Sequence, residues 1–289
     1  MRIGILFNCQ HRVLADVLRL ARPDFEVVEY DIGQLRLDHA ARDQALETLA
    51  GCDRVLSLYL EPADGPLGSE ALHETARRLI ILPGFSFGGF HPDTVYVHTA
   101  QGFLDGVTDH YHSRIAVAGF LAGRGVGGTV SLYNSLVMGR AGYFTAYGRE
   151  RMLVCQVFDR FGIDLNPLFE RWAGQGCFMH SVNHPKVWCY ADVALALCRH
   201  AGFVNRDATF DFSAMQDGLA VFATHPILPP LARRLGLPAE HSFKPFPATE
   251  DHAVNLERFV ELEFERFEHA VRADLEATPG VAKLRAVLA

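Results

Sequence analysis

The first third of the chain alternates short apolar runs with segments of helical periodicity, and this alternation narrows the folds open to it. Residues 3–7, 25–30, 54–58 and 79–82 read as strands, and residues 10–21, 40–50 and 69–78 read as helices. In the first helical segment Val13, Leu14, Val17, Leu18 and Ala21 recur at helical spacing. Strand–helix–strand order predicts βαβ units and a small N-terminal parallel sheet, so the fold class is α/β. In such sheets ligands bind beyond the carboxyl ends of the strands.

After Pro83 the strand signal fades. Residues 84–93 form a loop rich in glycine and aromatic side chains, of a kind that approaches a ligand. Residues 113–121, 146–161, 188–200 and 255–276 read as helices, and 123–128 reads as a flexible glycine breaker. That breaker matches neither standard phosphate-loop pattern, because no Lys-Ser/Thr pair follows it. The apolar positions Leu256, Phe259, Val260, Leu262, Phe267, Val271 and Leu275 form a stripe that suits docking on the core or on a second copy of the chain. We therefore expect a single domain over 1–289, with an α/β core at 1–95, a mainly helical part at 96–250 completing the active site, and a helical extension at 251–289.

A formal net charge of −7 argues against general nucleic-acid binding. No apolar stretch is long enough to span a bilayer, and the N-terminus lacks a signal peptide's apolar core. The six cysteines show neither CxxC pairing nor zinc-type spacing, which reads as reduced thiols in a cytoplasmic protein.

Cys9 is the exception by context. It lies where the first strand turns into the first helix, with Asn8 as the expected N-cap and Gln10, His11 and Arg12 beside it. A helix N-terminus favours thiolate over thiol, and its N–H groups can stabilise an oxyanion. The position suits a nucleophile, although a small buried cysteine is the structural alternative. In Phe90-His91-Pro92-Asp93 the proline restricts His91 to extended backbone, and Asp93 either orients an imidazole or caps a turn. In Asp109-His110-Tyr111-His112-Ser113 the two histidines lack the spacing of a metal site, and Ser113 suits the N-cap of the next helix. His180-Ser181-Val182-Asn183-His184-Pro185 puts two histidines, a hydroxyl and an amide before a helix. There His184 can serve as general base for a nearby thiol, with Asn183 or Ser181 orienting its ring. Arg12, Arg114 and Lys186 are among the cations available to a phosphate, against the ordinary role of solvated surface charge.

Together Asn8-Cys9-Gln10, Gly89-Phe90-His91-Pro92-Asp93, Tyr111-His112-Ser113 and Asn183-His184-Pro185 resemble the WcbI-type polysaccharide biosynthesis acetyltransferases in order and approximate spacing. The resemblance covers roughly residues 3 to 200, and departs at Phe7, where the family usually carries glycine. It implies a Rossmann-like or SGNH-like α/β core with extensive added helices. It also implies coenzyme A or acetyl-coenzyme A as co-substrate, no metal, and O-acetylation of a sugar of a capsular or other surface polysaccharide.

In that frame Cys9, His184 and His91 are the catalytic candidates, with His184 the first choice of base and His91 the second. Asn8, Gln10, Asp93, Asn183 and Ser181 are positioning or oxyanion candidates. His11, Arg12, His112, Ser113, Arg114, His180 and Lys186 are candidates for substrate or cofactor binding. Two other readings stand beside it: an SGNH-like esterase or thioesterase, and a non-catalytic coenzyme A or nucleotide-binding protein.

Overall fold

The computed structural model describes residues 1–288, which divide into two compact units. The first comprises Met1–Ser86, Leu153–Phe178 and His184–Leu219; the second comprises Phe87–Met152, Met179–Asn183 and the chain from Ala220 on.

The first unit is built on a parallel sheet of β1 (Arg2–Phe7), β2 (Glu26–Asp31), β3 (Arg54–Ser57) and β4 (Leu79–Ile81), in the order β2-β1-β3-β4. These are the four expected strands, displaced by at most one residue at either end. Ile3, Ile5, Leu6 and Phe7 are fully buried, as a strand covered on both faces requires. Helices α1 (His11–Ala21), α2 (Ile32–Leu37), α3 (His39–Ala50) and α4 (Ser69–Thr75) connect the strands. Gly4 lets α3 approach the sheet closely, since a Cβ there would stand 2.4 Å from Leu49. The sequence reading missed α2, whose start is set by the Asp31 carboxylate accepting from the Gly33 and Gln34 N–H groups. Helix Val187–His200 packs on α1.

From β1 the chain steps to β2 on one side, then crosses to β3 on the other. This reversal opens a crevice at the carboxyl ends of β1 and β3. The residues that follow those ends are Asn8-Cys9-Gln10 and Leu58-Tyr59, with Tyr59 60% exposed.

The second unit is mainly helical. Helix Arg114–Leu121 lies at the centre of an apolar cluster that gathers Val137, Met138, Phe267, Leu275, Val281 and Leu284. Two expectations are corrected here. The glycine breaker at 123–128 runs into a short helix, Val126–Val130, held so close to Gly119 that a Cβ there would meet Thr129 Oγ1 at 2.4 Å. The long helix over 255–276 is two helices, Leu256–Phe267 and Arg272–Ala277, because the chain turns at 268–271 and brings Phe267 and Leu275 into one cluster. Its stripe is thereby spent inside the chain. Phe259, Val260, Phe267 and Leu275 are buried, which is the docking on the core that the stripe suits, while Val271 is exposed. The aromatic loop at 84–93 also serves cores: Phe85, Phe87 and Phe90 are all buried.

Among the described residues no helix is long and apolar enough to cross a membrane.

Candidate functional site

Of the residues singled out from the sequence, the first unit holds Asn8, Cys9, Gln10, His11, Arg12, His184 and Lys186. The second holds His91, Asp93, His112, Ser113, Arg114, His180, Ser181 and Asn183.

In the first unit Cys9 is half-buried at the carboxyl end of β1. The turn around it differs from the expected cap. Helix α1 starts at His11 with Gln10 as N-cap, and no side chain caps its first turn. Asn8 instead closes the turn before the helix: its Oδ1 accepts from the Gln10 N–H at 3.1 Å and its carbonyl from the His11 N–H at 2.8 Å. The Gln10 N–H is therefore spent and is not an oxyanion donor, while the NH₂ end of Asn8 remains the end that can donate outward. Gln10 is fully buried, and its Nε2 donates to the Phe85 carbonyl at 2.6 Å. That bond ties the turn to the segment after β4.

His11 has its Nε2 3.9 Å from the Asp31 carboxylate. Burial draws it below the ordinary histidine value, and Asp31 and Glu29 only partly counter this. Near neutral pH its imidazole is uncharged. Arg12 is exposed and Lys186 half-buried at the head of helix Val187–His200, so both can reach a polyanion. His184 is buried just before that helix. Pro185 precedes the N-cap Lys186 rather than occupying the first helical position.

Sequence reasoning missed Tyr190. It lies in the first turn of helix Val187–His200, is fully buried, and its hydroxyl has no hydrogen-bond partner among the described residues. Burial raises its phenol well above the usual tyrosine value, and the charge of Cys9 is the next cause. Its only signal in the sequence is a tyrosine in an otherwise apolar helical stretch.

In the second unit the polar residues make a framework. Asp93 is buried and accepts from Tyr143 Oη at 2.8 Å, from the Ile115 N–H at 3.0 Å and from the Ser113 hydroxyl. Ser113 Oγ in turn accepts from the Ala116 N–H at 3.0 Å and pairs with Tyr133, so it caps helix Arg114–Leu121. Burial raises the Asp93 carboxyl above its ordinary value despite these donors and the nearby Arg114 charge. Arg114 donates to the Pro92 and Pro279 carbonyls, each at 2.8 Å, which commits its guanidinium to the backbone rather than to a phosphate.

His112 is fully buried between two acceptors, Glu263 Oε2 at 2.7 Å from Nδ1 and the Leu104 carbonyl at 3.0 Å from Nε2. Two acceptors require two ring protons, so the geometry pairs His112 with Glu263 as an imidazolium. Glu263 Oε1 also accepts from the Val107 N–H at 3.0 Å. The Asn183 Oδ1 accepts from the Tyr111 hydroxyl and, at 3.5 Å, from Ser181. The His180 carbonyl accepts from the His225 N–H at 2.9 Å.

His91 is the member of this set with a base's tautomer. Its Nε2 faces the His225 carbonyl at 3.0 Å and must carry the proton, which leaves the lone pair on Nδ1. It lines a cavity with Asp93, Thr94, Tyr143, His225 and Phe243. Among the described residues no cluster of three or more His, Cys, Asp or Glu side chains is placed to hold a metal ion.

Comparison with known proteins gives three findings. The family described as polysaccharide biosynthesis enzyme WcbI matches residues 2–206. A solved structure of WcbI, described as a novel polysaccharide biosynthesis enzyme in its native form without a disulfide bond between coenzyme A and a cysteine, superimposes with a TM-score of 0.75. That alignment covers 99% of this chain and 97% of the other at 16% identity. No curated protein matches the sequence. The chain belongs to the WcbI family of polysaccharide biosynthesis enzymes.

Proposed function

We propose that this WcbI-family enzyme is an acetyl-coenzyme A-dependent O-acetyltransferase acting on a sugar of a capsular or other surface polysaccharide, in the cytoplasm. The observation that carries the reading is Cys9 at the carboxyl end of β1, on the crevice where the strand order reverses and before a helix with no side-chain cap. The description of the related solved structure mentions a disulfide bond between coenzyme A and a cysteine, absent from that native form, and this supports coenzyme A as the donor's carrier near such a thiol.

In the covalent route the Cys9 sulfur, as thiolate, attacks the acetyl carbonyl of the thioester. The tetrahedral oxyanion collapses, the coenzyme A sulfur leaves and takes a proton, and acetyl-Cys9 remains. A sugar hydroxyl then attacks the acetyl carbonyl while a base removes its proton, and the Cys9 thiolate is released. Thioester exchange is nearly isoenergetic, which suits a cysteine to the first step. In the direct route the base activates the sugar hydroxyl for attack on the donor thioester held beside Cys9. His184 is the base in either route, with His91 as the second candidate. His184 belongs to the same unit as Cys9, and His91 has the required lone pair on Nδ1. The Asn8 NH₂ donates to the oxyanion, and Arg12 and Lys186 hold the phosphates of coenzyme A.

The test is acetyl transfer by Cys9→Ala and Cys9→Ser variants that still bind coenzyme A, with mass spectrometry of the wild-type protein after incubation with acetyl-coenzyme A. Acetyl on Cys9 and loss of transfer in both variants support the covalent route. Full transfer by both variants sinks it, and acetyl release to water without any sugar acceptor favours a hydrolase.

A further inference from the structure

A surface hairpin of the second unit carries a column of rings. Its strands His98–Thr99 and Gly102–Phe103 pair antiparallel, with His98 opposite Phe103. The Phe103 side chain is 47% exposed. Its ring centroid lies 4.9 Å from that of His98, 5.1 Å from Tyr96 and 5.7 Å from His110. Tyr96 rests in turn 5.1 Å from the buried Tyr111. Two exposed carboxylates flank His110, with Asp105 3.2 Å from its Nδ1 and Asp109 3.6 Å from its Nε2.

The base of this hairpin is fixed from inside. His112 Nε2 donates to the Leu104 carbonyl, and Glu263 Oε1 accepts from the Val107 N–H, so the buried His112–Glu263 pair grips both ends of residues 104–107. A buried ion pair adds little net stability over an apolar filling. What this one does is hold a surface segment in one geometry. Single exposed apolar side chains are ordinary, but a rigid ring column bordered by carboxylates is the composition of a contact site.

We propose that this hairpin is a binding platform for a pyranose unit of the saccharide substrate. The C–H face of a pyranose is apolar and stacks on Phe103, while its hydroxyls donate to Asp105 and Asp109. Charge sets aside a nucleotide, which would also stack on a ring. Residues 94–113 contain no lysine or arginine, and two carboxylates repel a polyphosphate. The inference rests on the reading that the substrate is a saccharide, and not on Cys9 or on the transfer step.

The test is saturation-transfer NMR on the intact protein. The probes are the methyl pyranosides of glucose, galactose and mannose, with adenosine diphosphate as the counter-probe. The wild-type protein should bind at least one pyranoside. Phe103→Ala should weaken that binding about three- to tenfold, and Phe103→Trp should retain it. Asp105→Ala, at a side chain 89% exposed, should weaken it without moving the melting temperature. Should Phe103→Ala fail to fold, Asp105→Ala and Phe103→Trp decide. No pyranoside bound by the wild-type protein, or equal binding by wild type and the alanine variants, overturns the platform and leaves acetyl transfer standing. Binding of adenosine diphosphate that depends on Phe103 overturns it in favour of a nucleotide. Pyranoside binding that depends on Phe103, in a protein that acetylates no sugar, upholds the platform and overturns only the acetyltransferase reading.

Discussion

The turn at Cys9 and the cluster around Asp93 are made from the same kinds of side chain, yet they treat them differently. Around Asp93 the carboxylate meets Ser113, Tyr143 and the Ile115 N–H, while His112 meets Glu263 and the Leu104 carbonyl. In the first unit Asn8 Oδ1 and Gln10 Nε2 bond to backbone beside Cys9, while the Tyr190 hydroxyl and His11 Nδ1 have no hydrogen-bond partner among the described residues. Polar groups that meet one another hold a fold. Those left open inside a protein carry a standing cost that a ligand or a change of charge can remove. The comparison thus separates framework from chemistry where residue type alone does not.

Breaking that separation is the purpose of the following substitutions. Cys9→Ala should lower acetyl transfer by on the order of 10³-fold or more while leaving the urea midpoint in place. Retained transfer would place the chemistry elsewhere. Glu263→Ala should do the reverse, destabilising the protein by about 3–5 kcal/mol because it leaves a buried imidazolium without its carboxylate. Urea unfolding reads the loss, and iodoacetamide labelling of Cys9 under native conditions should be unchanged.

Asp93→Ala should cost about 1–3 kcal/mol, because the Tyr143 hydroxyl and the Ile115 N–H lose their acceptor. A specific loss of acetyl transfer at full stability would move Asp93 from framework to chemistry. The His112–Glu263 pair also predicts a pH dependence. Burial alone would lower the His112 value, but the Glu263 hydrogen bond, the Glu263 charge and the Leu104 carbonyl together raise it. A raised folded value means that folding takes up a proton. Its stabilisation is therefore complete below about pH 6.5 and is lost as pH climbs through the folded value. The urea midpoint should fall on the alkaline side of about 6.5, and His112→Gln should flatten that slope. The smallest effect is expected at Arg12→Ala: about three- to tenfold weaker coenzyme A binding in calorimetry, shrinking as salt is added.

Much of the first unit is legible in the sequence because its strands are unbroken apolar runs and α1 has a clean period. The reversal of strand order is not, because no local pattern says on which side of β1 the third strand lands. In the second unit the long-helix reading of 255–276 failed because a period that continues through a turn looks the same as one that continues through a helix. The site was half legible. A cysteine after a first strand and a histidine before a late helix stand out by context. The role of His112 does not, since its meaning is set by Glu263, 151 residues away. Tyr190 escaped notice for the same reason: a lone tyrosine in an apolar helix becomes informative only once its hydroxyl is known to lack a partner.

The bond from Gln10 to the Phe85 carbonyl has a consequence in time. It joins residues 75 apart, and the helix that brings Tyr190 follows about a hundred residues later. Contacts so distant in sequence form late in folding, since the loops between them must close first. A growing chain therefore exposes its ninth residue early but completes its surroundings only when two-thirds of the polypeptide has been made. Until then the turn around that sulfur lacks the bond that fixes it, and the reactivity proposed for Cys9 can arrive only with the fold.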